Sequence, residues 1–279
     1  MEKSKERLEI LEKIEEYERK GLWDIDVEPD PETIELKPNK VDYLNKKLTS
    51  KIKTAIANKM GEKFFESMIK NNQLIIKEVK GIENYTAVKG GVIITCNHFS
   101  PCDNYAVHKA VMPYLKKKGK FYKIIREGNY TSFKGLFGFL FRNACTLPLS
   151  QNTETMKKFM SAVKVLLNRG ETILIYPEQA MWWNYRKPRP CKNGAFKLAV
   201  SNNVPIVPCL ITMEDSEHIG PDGFNIQALT VNFMPPIYPK EELNRKENTE
   251  FMKNENARAW KECYEKTYGI PLTYNTEEN

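Results

Sequence analysis

The sequence predicts an α/β fold: a mixed, largely parallel sheet covered by helices, with an N-terminal helical appendage. Three observations lead there. Short apolar, β-rich runs recur from Leu74 onward without strict alternation, as strands buried on both faces do. Helical patterns separate most of these runs, the arrangement of βαβ units. The first forty residues instead carry 13 acidic and 8 basic side chains, with Pro29, Pro31 and Pro38 spaced through their second half.

A charged helix is expected from Glu2 to Lys20, with Leu8, Leu11, Ile14 and Tyr17 as a thin apolar stripe and Gly21 as its end. An extended linker follows. A longer helix is expected over Val41–Asn71, where Leu44, Leu48, Ile52, Ile56 and Met60 recur every four residues among many lysines. Such a basic amphipathic helix either packs on the domain core or lies on anionic lipid. The expected strands are Leu74–Val79, Gly91–Cys96, Phe121–Ile125, Ala144–Leu149, Thr172–Tyr176, Val204–Ile211 and Leu229–Met234. Helical patterns fill Pro101–Leu115, Thr153–Asn168, Asn193–Asn202 and Lys240–Tyr268. The expected division is a helical region and linker over 1–72 and an α/β domain over 73–279.

The formal charge of +7 is unevenly laid out. Residues 1–40 sum to −5, residues 240–279 to −2, and residues 41–239 to +14. A basic middle between acidic ends suggests an anionic partner, whether nucleic acid, a membrane surface, a coenzyme or an acidic carrier protein, and the alternative is a soluble surface that is simply lysine-rich. No apolar run approaches the ~18 residues of a spanning helix, so neither a signal peptide nor a conventional membrane span is expected. The expected location is the cytoplasm or the membrane surface facing it. The six cysteines form no CxxC pair and several sit in apolar segments, so they read as small reduced core residues without a metal site.

Three histidines limit the choice of a catalytic imidazole. His98 lies in Thr95-Cys96-Asn97-His98-Phe99-Ser100-Pro101-Cys102-Asp103, directly after an apolar strand and before a helix. That places it at the C-terminal edge of the sheet, where ligands bind in open α/β folds. A strand–turn–helix path can bring the Asp103 carboxylate back to the ring, although Ser100-x-x-Asp103 also reads as a capping box. His108 and His218 are expected at the surface. A second apolar strand, Ile173–Tyr176, ends in Pro177-Glu178-Gln179 and delivers Glu178 to the same edge. Lys192-Asn193-Gly194-Ala195 opens a further helix, followed by Val204-Pro205-Ile206-Val207-Pro208.

The order of these segments resembles the glycerolipid acyltransferase family, which includes the bacterial 1-acylglycerol-3-phosphate acyltransferases. The resemblance covers roughly residues 75–235. It implies transfer of a fatty acyl group from a thioester, acyl-CoA or acyl carrier protein, to a hydroxyl of a lysophospholipid-like acceptor. It makes His98 the general base and Asp103 its orienting partner. It assigns Glu178 to the acceptor site, with Pro205 and Pro208 shaping the region beside it; Gln179, Lys192 and Gly194 are further substrate-binding candidates. The thioester is a co-substrate, and neither a cofactor nor a metal is expected. Two departures stand out: Gln179 replaces a glycine, and the phosphate-binding arginine expected after Leu149 is missing. Arg126, Arg142 or the cluster around Arg186 would then supply the cations a phosphate needs; otherwise the acceptor is not a simple glycerol phosphate. Peripheral contact with an anionic membrane is expected, through Val41–Asn71 or Phe133–Phe141, and nucleic acid is not. The competing readings are a non-catalytic lipid- or nucleic-acid-binding protein on the same scaffold and a hydrolase using the same His–Asp pair.

Overall fold

The computed structural model describes residues 2–115 and 120–277. In chain order the elements are α1 (Lys5–Arg19), α2 (Leu48–Lys70), β1 (Ile75–Lys80), α3 (Ile82–Thr86), β2 (Val92–Cys96), α4 (Asp103–Val111), β3 (Phe121–Ile125) and α5 (Glu127–Thr131). They continue with α6 (Gly135–Asn143), β4 (Thr146–Pro148), α7 (Thr153–Asn168), β5 (Thr172–Ile175), α8 (Gly194–Asn202), β6 (Ile206–Ile219), β7 (Asn225–Phe233) and α9 (Arg245–Tyr268).

Seven strands form one sheet in the order β1-β7-β6-β2-β5-β3-β4. Every neighbouring pair is parallel except β6 and β7. The sheet is thus largely parallel and helix-covered, as the apolar runs predict. The central strands β2 and β5 are buried along their whole length. On one face Ile93, Ile173 and Ile175 meet Phe159, Val163, Leu166 and Phe196 from α7 and α8. On the other, Ile94, Leu174 and Val207 meet Tyr105, Val107 and Val111 from α4. Because β2 and β5 are adjacent and parallel, their C-terminal loops emerge side by side. That pairing positions the site.

Several boundaries differ from the sequence expectation. β6 and β7 run on as a hairpin to Ile219 and from Asn225. The added part, around Glu214–His218, is polar and half-exposed, so it has no apolar run to mark it. His218 therefore sits near the end of a strand, half-exposed. His108 is not a free surface residue: its ring stacks on Phe121 at 5.1 Å, and burial beside Lys123 pulls its pKa down to about 4. β4 starts at Thr146 because Ala144 caps α6 and Cys145 takes a left-handed φ of 54°.

The largest change concerns residues 41–71. The helix begins at Leu48, because the Asp42 carboxylate accepts the backbone N–H groups of Lys46 and Lys47 and folds that segment into a turn. Leu44 before the helix and Phe65, Met68 and Ile69 at its end pack on the core, but the apolar stripe between them does not. Leu48, Ile52, Ile56 and Met60 are exposed, while the opposite side of the helix buries Thr54 and Ala57. Leu136 and Phe137 of α6 are exposed as well, and Phe137 meets Phe64 of α2 edge-on at 5.9 Å. No helix among the described residues is long and apolar enough to cross a membrane.

The N-terminal segment folds back onto the α/β body. Ile10 and Ile14 of α1 and Val27 form a buried cluster with Ala180, Trp182 and Trp183, the residues directly after Gln179. Leu36 is buried too, its N–H held by Glu127 at 2.7 Å and its carbonyl by the Thr155 hydroxyl at 2.7 Å.

Candidate active site

β2 ends at Cys96, and the next residue ties the loop to the neighbouring strand. The Asn97 amide pairs with the backbone of Ile211 in both directions, at 3.0 and 2.8 Å, and so extends the ladder by a side chain. His98 then projects from the sheet edge. Its Nδ1 lies 2.8 Å from Asp103 Oδ2, closing the pair expected from the sequence. The same oxygen accepts the N–H groups of Phe99 and Ser100 at 3.1 and 3.2 Å. Capping of the turn and orientation of the ring are therefore one arrangement: the carboxylate that ties down the turn also holds the ring.

Asp103 is wholly buried and keeps its charge satisfied through a fourth donor. The Tyr176 hydroxyl donates a hydrogen bond to Oδ1 at 2.5 Å. Burial and the adjacent Asp103 push the tyrosine pKa well up, so this phenol stays protonated and donates. Tyr176 also stacks on the His98 ring at 4.1 Å. With Nδ1 committed to Asp103, the neutral tautomer presents an unprotonated Nε2, an acceptor for a substrate proton. Nε2 has no hydrogen-bond partner among the described residues, and the side chain is 22% exposed, within reach of a ligand. Cys102 does not compete as a nucleophile, because burial next to Asp103 pushes its thiol up to about 11.

Glu178 arrives at the same edge, but its carboxylate is turned inward. Its side chain is 2% exposed and pairs at 2.8 Å with Arg189, which is 1% exposed. Glu178 Oε2 accepts the His98 N–H at 2.9 Å, and Oε1 accepts the Arg189 N–H at 2.7 Å. The Arg189 guanidinium also donates to the carbonyls of Trp23, His98 and Ala180 and lies 4.7 Å over the Trp182 ring. The pair fixes the backbone of His98 from both sides. Gln179 follows with a φ of 68°, a left-handed conformation that costs a side chain about 1 kcal/mol and explains why glycine is the expected residue there.

The other residues singled out in the sequence separate into two groups. Arg126 and Lys192 adjoin the Glu178 loop: Arg126 donates to the Gln179 carbonyl at 2.7 Å, and Lys192 N–H to the Pro177 carbonyl at 2.8 Å. Gly194 begins α8 two residues further on, with open space around it. Arg186 lies on the β6–β7 hairpin, bonded to Asp215 and Gln227, and Arg142 spends its guanidinium on the carbonyls of Tyr130 and Phe133 in α5 and the turn after it. The structure does not bring these two to His98. Sequence reasoning missed Tyr176, Asn97 and the specific part played by Arg189; only the position of Tyr176 at a strand end beside Pro177 carried a signal.

Residues 77–212 match the Acyltransferase family model. This segment, just under half of the chain, is similar to the acyltransferases that the model describes. The matched segment runs from β1 into β6 and holds His98, Asp103 and Glu178. A comparison with curated proteins finds no match. Among solved structures, the fold is similar to the 1-acyl-sn-glycerophosphate acyltransferase PlsC from Thermotoga maritima, with a TM-score of 0.51 at 18% identity over 80% of this chain and 83% of that one. The acyltransferase expected from the motif order, and its α/β architecture, are thereby met.

Proposed function

We propose that this acyltransferase moves a fatty acyl group from acyl-CoA or acyl carrier protein to a hydroxyl of a lysophospholipid-like acceptor, with His98 as general base and Asp103 as its positioning partner. The observation that carries this reading is the 2.8 Å contact from Nδ1 to a buried carboxylate, with Nε2 left unpaired at the sheet edge. Nε2 takes the acceptor hydroxyl proton as that oxygen attacks the thioester carbonyl. Asp103 stabilises the imidazolium that results. Collapse of the tetrahedral intermediate breaks the carbon–sulfur bond, and the imidazolium returns its proton to the departing thiolate.

The same reading places the protein on an anionic membrane surface, where such acceptors reside. Its support is the exposed row Leu48, Ile52, Ile56 and Met60, continued by Leu136 and Phe137 and flanked by the exposed Lys51, Lys53, Lys59 and Lys63. Apolar side chains that enter the headgroup boundary beside lysines that meet anionic lipid give an interfacial helix. The test of the reaction is incubation with labelled acyl-CoA and acyl carrier protein against lysophospholipids and polyols, with product analysis. A labelled ester of one acceptor is expected; release of free fatty acid alone would instead support the hydrolase.

A further inference from the structure

The cations around the His98 loop are already met by carboxylates of this chain. Arg126 pairs with Asp26 and, at 3.2 Å, with Asp30. Lys192 pairs with Asp24 at 2.9 Å, and Arg189 with Glu178 at 2.8 Å. Four carboxylates thus face three cations, so the local balance is negative by one charge. Three of those carboxylates come from one strap, residues 22–36, which the sequence marks only as an acidic, proline-spaced linker.

That strap is a fixed wall rather than a removable cover. Trp23 stacks on the buried Trp182 at 5.7 Å and meets Tyr274 at 4.8 Å. The Trp182 indole N–H donates to the Ile25 carbonyl at 2.9 Å, and Arg189 to the Trp23 carbonyl at 2.9 Å. Asp26 accepts the Met181 N–H at 3.0 Å with the oxygen that Arg126 does not use. Val27 and Leu36 are each 2% exposed. The aspartates lie between these anchors, so displacing them means unseating buried side chains on both sides.

We infer that the acceptor presents to this site an uncharged, hydroxyl-rich head, such as glycerol or a sugar, and not a phosphate monoester. The inference rests on the acyl-transfer reading above. A phosphate dianion needs charge-assisted donors, and here Arg126, Lys192 and Arg189 are each already paired with a carboxylate of this chain. Bringing a dianion beside Asp26 and Asp30 adds like-charge repulsion to the loss of those pairs. A polyol reverses the balance: its hydroxyls donate to the half-exposed oxygens of Asp24 and Asp30, and the acceptor hydroxyl remains free to give its proton to Nε2. Any phosphate on the acceptor then lies outward, beyond the strap.

The test compares a 1-monoacylglycerol with its 3-phosphate as competing acceptors in mixed micelles, with acyl-CoA and acyl carrier protein as donors. The wild type is expected to favour the neutral lipid by about tenfold or more in kcat/KM, and Asp30→Asn and Asp26→Asn/Asp30→Asn to shift the ratio toward the phosphate by about tenfold, 1.4 kcal/mol. A second readout needs no turnover: millimolar glycerol 3-phosphate should leave the wild-type melting temperature unchanged and raise that of the double variant. Preference of the wild type for the phosphorylated lipid, or its stabilisation by glycerol 3-phosphate, overturns the inference. Absence of transfer to every acceptor, with a melting response as expected, overturns the acyl-transfer reading and leaves the charge assignment of the site standing.

Discussion

Arg189→Met breaks the buried pair that holds the His98 backbone, and the structure sets the size of the effect. The variant keeps the apolar volume but removes the guanidinium from a carboxylate at 2.8 Å, with both side chains at most 2% exposed. Glu178 is left charged in the interior, held only by the N–H groups of His98 and residue 189. Removing one partner of a buried pair costs about 3–5 kcal/mol, most of it the stranded charge. Three carbonyls, those of Trp23, His98 and Ala180, lose a charged donor as well. Urea denaturation followed by tryptophan fluorescence is the assay, because Trp23 and Trp182 report on this region. Combining the change with Glu178→Gln removes the stranded charge and should recover about 2 kcal/mol, giving a coupling energy of that order in the double-variant cycle. The loss should be nearly independent of salt, since buried pairs are screened little. A single variant within about 1 kcal/mol of the wild type, or a cost that vanishes in high salt, would refute the buried-pair argument.

Asp103→Asn should lower kcat by about 10³-fold or more with little loss of stability, because the amide oxygen can take the donors of Oδ2 and the amide nitrogen can donate to Tyr176; steady-state kinetics and a thermal melt check both halves. Ile52→Glu/Ile56→Glu should weaken binding to phosphatidylglycerol-containing vesicles about 30-fold, from ~1 kcal/mol per half-buried apolar side chain, while turnover of a water-soluble acceptor is unchanged; equal sedimentation with vesicles would count against the α2 face. His108 is neutral in the fold, with a pKa pulled from 6.5 to about 4 by burial and the neighbouring Lys123. The unfolded chain therefore binds the extra proton between those values, so stability falls as pH drops from 6.5 toward 4, by about 3 kcal/mol in full. His108→Gln should remove that part of the slope in urea titrations at pH 7 and 4.5; an unchanged slope would place the acid sensitivity elsewhere.

The His98 and Glu178 loops were legible because each follows an apolar run that can only be a buried strand, and each ends in a residue with chemistry to offer. Ser100-x-x-Asp103 was legible in two ways, as a cap and as a partner of the His98 ring, and Oδ2 makes both contacts. Arg189 was not separable from Arg186 and Lys187 by sequence, because burial distinguishes them and neighbouring residues in a loop share no period. The outward face of α2 was half legible. Amphipathic spacing establishes an apolar stripe, but not whether protein or lipid covers it, and here the inner face is made by the small residues Thr54 and Ala57 and, further along, by Phe65, Met68 and Ile69. The charge pattern had a further meaning. Part of the basic excess in 41–239 meets the acids of the N-terminal segment, as Lys187 meets Glu18, Lys192 meets Asp24 and Arg126 meets Asp26. Ion pairs across a hundred residues or more leave no local signature.

The central claim is that His98 takes the acceptor proton. The most direct measurement is acyl transfer by His98→Ala, with labelled thioester and the best acceptor of the panel, beside a melt of the same preparation. The ring is partly exposed and its removal leaves Asp103 bonded to Phe99, Ser100 and Tyr176, so the fold should persist. Product formation should fall by about 10³-fold or more at an unchanged melting temperature. Transfer at near-wild-type rates by the folded variant would contradict the account.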